Sequence, residues 1–113
     1  MAVTAKRLHG PAQVSNVVAT KYTAGATTRT TVRHIHISNP SGAAVTFTMS
    51  IGADAAGVRI FDAFSVPANT DATTKGVIDH YCYYVLAPGE LIQALAGTNN
   101  ILVLTIDGEE DTV

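Results

Sequence analysis

The chain has 113 residues and a net charge of −2, and only 14% of its residues are charged against about 25% in an ordinary soluble domain. That length predicts a single domain, residues 1–113, with one core. The absence of a basic patch argues against nucleic acid, because phosphate recruitment depends on clustered Lys and Arg.

Residues 1–7 carry no apolar stretch of the secretory kind, and no apolar run approaches the roughly 20 residues that cross a bilayer. Cys82 stands alone, so no internal disulfide forms, and synthesis in a cytoplasm is expected. Residues 1–7 read as an N-terminal arm. Leu8–Val14 and Val17–Tyr22 are weak strand candidates. Thr30–Ser38 is stronger, with Ile35 and Ile37 on one face and His34 and His36 on the other. Asn39-Pro40-Ser41-Gly42 has type I turn chemistry. Val45–Ile51 then alternates strictly, with Thr46, Thr48 and Ser50 polar between Val45, Phe47, Met49 and Ile51. Val58–Val66 and Val77–Leu86 are rich in β-branched and aromatic residues. Ala87-Pro88-Gly89-Glu90 has the type II pattern, with positive φ required at Gly89. Leu91–Ala96 and Ile101–Ile106 follow, and residues 107–113 read as a solvated acidic tail. No window has convincing helical periodicity. An all-β chain results: an antiparallel β-sandwich, jelly-roll-like, of about eight short strands.

Candidate chemistry is sparse. His34 and His36 share a strand face about 6.5–7 Å apart, so both rings can reach one metal ion. In a jelly roll this resembles the cupin metal site, but the Gly-to-His spacing is too long, no Glu follows near Pro40 and Ser41, and no second motif is present. His34 and His36 are therefore weak metal candidates, and no cofactor is expected. His80 and Cys82 share a face as well, yet a strand interior offers no helix dipole to activate a thiol. Asp54, Asp62 and Asp79 match no EF-hand spacing. No serine sits in a nucleophile elbow and no Gly-rich phosphate loop occurs. No enzyme is expected.

Interfaces are better supported. A free domain covers its surface and sheet edges with Lys and Glu, and this chain has only three lysines, Lys6, Lys21 and Lys75. Alternation puts Tyr81 and Tyr83 on one strand face and Tyr84 on the other, and tyrosine is enriched at interfaces. Ile101–Leu104 is apolar on both faces, which suits either a central strand or a face covered by another subunit. Candidate interface residues are Tyr81, Tyr83, Tyr84, Thr46, Thr48, Ile101 and Val103. Tyrosines also stack on sugars, so glycan recognition stays open.

Three stretches carry a family likeness: residues 21–25 leading into 33–39; Phe47 to Gly57; and Leu86 to Ala94 with the closing Leu104-Thr105-Ile106-Asp107-Gly108. Across residues 20–108 the chain resembles small β-sandwich structural proteins of tailed phages, of the minor tail or capsid decoration type. The resemblance implies a virion protein made in the host cytoplasm and built into a particle beside other virion proteins and copies of itself. Tail tip or tail accessory is the first reading and head decoration the second. Homo-oligomers are implied, trimers being common for such domains, and no binding residue carries over.

Overall fold

The computed structural model describes residues 3–113. Eight strands follow one another: β1 (Val3–Gln13), β2 (Ala19–Thr23), β3 (Thr28–Ser38), β4 (Val45–Ile51), β5 (Arg59–Val66), β6 (Val77–Leu86), β7 (Leu91–Ala96) and β8 (Val103–Thr112), with one 3-10 turn at Ala56–Val58. They form two four-stranded antiparallel sheets, β1-β8-β3-β6 (sheet A) and β2-β7-β4-β5 (sheet B). First pairs with last, second with seventh, third with sixth and fourth with fifth. That nesting is one long hairpin rolled onto itself, closed by the β3–β8 and β4–β7 ladders. This is the jelly-roll form of the β-sandwich.

Period-two alternation builds the core. Leu104 and Ile106 of β8, Val32, Ile35 and Ile37 of β3, and Leu86 of β6 point inward from sheet A. Phe47 and Met49 of β4 and Ile92, Ala94 and Ala96 of β7 meet them from sheet B, and all are buried. Phe47 meets Phe61 edge-on at 5.5 Å, a favoured aromatic geometry. The turns follow their residues. Gly89 has φ +84 and the Glu90 amide donates to the Ala87 carbonyl at 3.0 Å, as type II geometry requires. Asn39 is buried, and its side-chain amide donates to the carbonyls of Ala43, Val66 and Pro67 while its oxygen accepts from Ser41. One side chain thus ties the end of β3 to the end of β5.

The two chain ends depart from the sequence expectation. Met1 and Ala2 lie outside the described residues, but Val3–Arg7 is no free arm. It continues β1, paired with Asp107 to Asp111. The acidic segment 107–112 is no solvated tail either; it is the second half of β8, with β1 on one side and β3 on the other. Charge pairing is the physical reason. On the outer face Asp107, Glu109 and Asp111 meet Arg7 at 3.8 Å, Arg33 at 2.6 Å and Arg29 respectively. On the inner side the core gives way to a polar closure. The Tyr22 hydroxyl of sheet B donates to Glu110 and bonds Thr30, while Lys6 reaches Glu110 at 3.1 Å. Burial and the Glu110 bond push the Tyr22 hydroxyl up to about 12. An apolar-alternation reading stops at Ile106 because the inward positions beyond it, Gly108 and Glu110, are not apolar.

Candidate functional site

Sheet B supplies little open surface for a site. The outward side of β4 is covered by the chain itself. Thr48 is 8% exposed and accepts from the Ala63 amide at 3.0 Å, so it is not available to a partner subunit, contrary to the sequence expectation. Fully buried Ser50 donates to Asp54 at 2.7 Å, and Arg59 grips both Asp54 oxygens at 3.0 and 3.1 Å. Thr46 alone of this row is exposed. Arg59, then the Ser50 hydroxyl, hold the Asp54 carboxyl down at about 2 from its ordinary 3.8. A depressed folded value means the pairing stabilises fully above the ordinary carboxyl range and is lost as pH falls toward 2. Asp54→Asn is therefore expected to lower the denaturation midpoint at neutral pH and to flatten the acid limb below pH ~4, read from urea midpoints against pH.

Sheet A presents the richer surface. Its outer face runs from Arg7 on β1, through Asp107 and Glu109 on β8 and Arg33, His34 and His36 on β3, to Asp79, Tyr81 and Tyr83 on the edge strand β6. The β3 ladder is irregular at Arg33: Val32 opposes Gly108, yet His34 opposes Asp107. That bulge puts sequence neighbours Arg33 and His34 on the same face, a recurrent use of such an insertion. His34 lies opposite Tyr81 and stacks on it, ring centres 4.5 Å apart and planes 10° off parallel. His36 lies opposite Asp79. A single oxygen of Asp79 takes both histidines, His34 Nε2 at 2.8 Å and His36 Nδ1 at 2.6 Å. These bonds, His36 first, hold the Asp79 carboxyl below the usual carboxylate range. On the far side of the His34 ring, Nδ1 lies 3.7 Å from Asp107 Oδ2.

Beside this cluster, Tyr81 is 75% and Tyr83 69% exposed. Arg33 sits 5.4 Å over the Tyr83 ring, a cation–π distance. Val77 and Val85 extend the stripe along β6, both outward and exposed. A shallow hollow of about 360 Å³ lies next to it, lined by Arg29, Thr31, Tyr83, Val85, Glu109 and Asp111 among others. Tyr84 points the other way, half-buried, with its hydroxyl 3.0 Å from His80 Nε2. It belongs to the sandwich interior, with Phe61 against His80, and is not an outward contact residue. Ile101 precedes β8 and packs partly against the core, while Val103 is half-buried on the outward side of that central strand.

The remaining sequence candidates are not assembled into sites. His80 bonds Tyr84, while the Cys82 thiol points at the Val32 carbonyl. Burial pushes that thiol up, opposite to the shift a nucleophile needs. Asp54 and Asp62 flank Arg59 on sheet B, and Asp79 lies on sheet A. Asp79 and Asp107 are the members of the outer-face cluster that sequence reading missed as partners of the histidines. Outward parity within β6 and β8 was readable, but the cross-strand register that sets them beside His34 and His36 was not.

Fold and surface together define an eight-stranded jelly roll with a tyrosine-bearing edge strand. No protein-family model matches the sequence, and no relative is found among curated proteins. Among solved structures the chain is similar to part of a chain in the structure of infectious bursal disease virus Gx strain, at 12% identity and TM-score 0.46, covering 96% of this chain and 31% of that one. A chain of the T=1 particles derived from the same virus is similar at 13% identity and TM-score 0.40, covering 96% and 30%. The chain thus spans about a third of the length of these viral chains. The likeness is too distant to assign function, and the jelly-roll assignment stands on the strand pairing.

Proposed function

We propose that this chain is a non-catalytic structural subunit of a virus particle that works by packing against copies of itself and other virion proteins. One observation carries the reading: β6 is an edge strand of ten residues whose outward face is Val77, Tyr81, Tyr83 and Val85, with Asp79 as its single charge. An edge of that length left open invites pairing with another chain unless it is blunted by lysine, proline or a covering element, and no lysine or proline lies within β6. Tyrosine at high exposure supplies contact area at low entropy cost. The low overall charge fits a surface partly shared with neighbours.

The finer assignment rests on the resemblance to small structural proteins of tailed phages. It favours a minor tail or tail-tip accessory protein, with capsid decoration as the alternative place in the particle. Sedimentation velocity tests the reading, run on the purified chain alone and mixed with the particle that incorporates it. Wild type is expected to sediment as an oligomer or with the particle, and Tyr81→Ser/Tyr83→Ser to lose that association while unfolding at nearly the wild-type temperature. A stable monomer that joins no particle overturns it.

A further inference from the structure

We propose that His34 Nε2, His36 Nδ1 and a carboxylate oxygen of Asp79 form a binding site for a divalent transition-metal ion of the zinc class on the outer face of sheet A. The three donor atoms all lie within 4.8 Å of one another. The carboxylate oxygen sits 2.8 Å from one imidazole nitrogen and 2.6 Å from the other. Metal bonds of about 2.0–2.1 Å to His and Asp set neighbouring ligand atoms roughly 3 Å apart, so small shifts of the Asp79 carboxylate and of the two rings admit the ion. Both rings converge on one oxygen instead of each finding its own partner, which already aims three donors at one place.

Two further features point the same way. The ligands stand on paired strands and not on loops, two at alternate positions of β3 and one directly opposite on β6. Sites on regular elements hold their geometry. His34 is also oriented from behind, stacked on Tyr81 and facing Asp107 with the nitrogen that does not bind. A carboxylate at the remote nitrogen is the usual outer partner of a ligating histidine, selecting the tautomer whose lone pair faces the metal. Asp79 and Asp107 together offset the ion's two positive charges. Two imidazoles with one carboxylate favour zinc, copper, nickel or iron over calcium or magnesium, which take oxygen ligands. Three protein donors leave a position for water, and the bound ion ties the edge strand β6 to β3.

The test uses the full chain stripped with EDTA and titrated with ZnCl2 by calorimetry near neutral pH. One ion per chain is expected. His36→Gln and Asp79→Asn should each weaken binding by about tenfold or more, and Asp107→Asn by about tenfold through His34. Zn2+ should raise the unfolding temperature of wild type and not of His36→Gln or Asp79→Asn. A readout independent of the variants is Co2+ loading, which should shift the ring resonances of His34 and His36 and be reversed by Zn2+. Absence of heat and of a stability change at millimolar Zn2+ overturns the proposal. So does binding that is unaltered in both variants, or Co2+ shifts confined to His9 or His80.

Discussion

Deleting residues 107–113 is expected to unfold the domain. These residues look expendable, since the segment is acidic, polar and terminal in this chain. In the fold they are half of a central strand. Each residue from Asp107 to Asp111 is paired with β1, and each from Asp107 to Thr112 with β3, apart from the offset at the Arg33 bulge. β1 has no other neighbour in its sheet, so Val3–Arg7 loses its only ladder. About ten hydrogen bonds at roughly 1 kcal/mol net each are at stake, comparable to the whole stability of a domain of this size, about 5–15 kcal/mol. The deletion also leaves the Tyr22 hydroxyl without Glu110, and Arg29 and Arg33 without their acids. Amide resonances collapsed into the unfolded range would bear this out, whereas a dispersed spectrum like that of the full chain would show that β8 ends functionally at Ile106.

Gly108→Val is expected to be the most damaging single substitution in that strand. A Cβ at Gly108 would lie 2.1 Å from the Thr31 carbonyl oxygen and 3.0 Å from the Leu8 side chain. The clash is with backbone on a neighbouring strand of the same sheet, so no rotamer change relieves it; β3 or β8 has to move. Overpacking of this kind exceeds the common range, and about 4 kcal/mol or more is expected, a fall in unfolding temperature of roughly 15 °C at this chain length. Gly57→Ala is the control. A Cβ there meets nothing within 4 Å and its φ is not positive, so the change should be neutral or stabilising by about 0.4–1 kcal/mol. Thermal unfolding followed by circular dichroism separates the two. Similar midpoints for both variants would refute the close approach of β3 to β8.

Strand identity and side-chain facing were largely legible in the sequence. Val45–Ile51, Val77–Leu86 and Leu91–Ala96 emerge with their expected bounds, because one wet face and one dry face make period two visible. The ends of the sheets were not legible. Val3–Arg7 and Asp107–Thr112 hold together through cross-strand charge pairs and a Glu110–Tyr22–Thr30 closure, and charge pairing between distant strands leaves no periodic trace in one sequence. Thr48 and Ser50 looked like an open face for the same reason: the loop of residues 52–58 that carries Asp54, with Arg59 and Ala63 of β5, folds back over them, and alternation alone does not say what covers a polar row. The His34–His36 pair was visible, but its carboxylates on β6 and β8 depend on register, which the bulge at Arg33 sets.

Tyrosine-directed footprinting of the intact particle, compared with the free chain, is the most direct examination of an assembled role. With the outward side of β6 covered by a neighbouring polypeptide, Tyr81 and Tyr83 should be labelled readily in the free chain and protected in the particle, while half-buried Tyr84 labels slowly in both. Equal labelling of Tyr81 and Tyr83 in the two states would contradict the account.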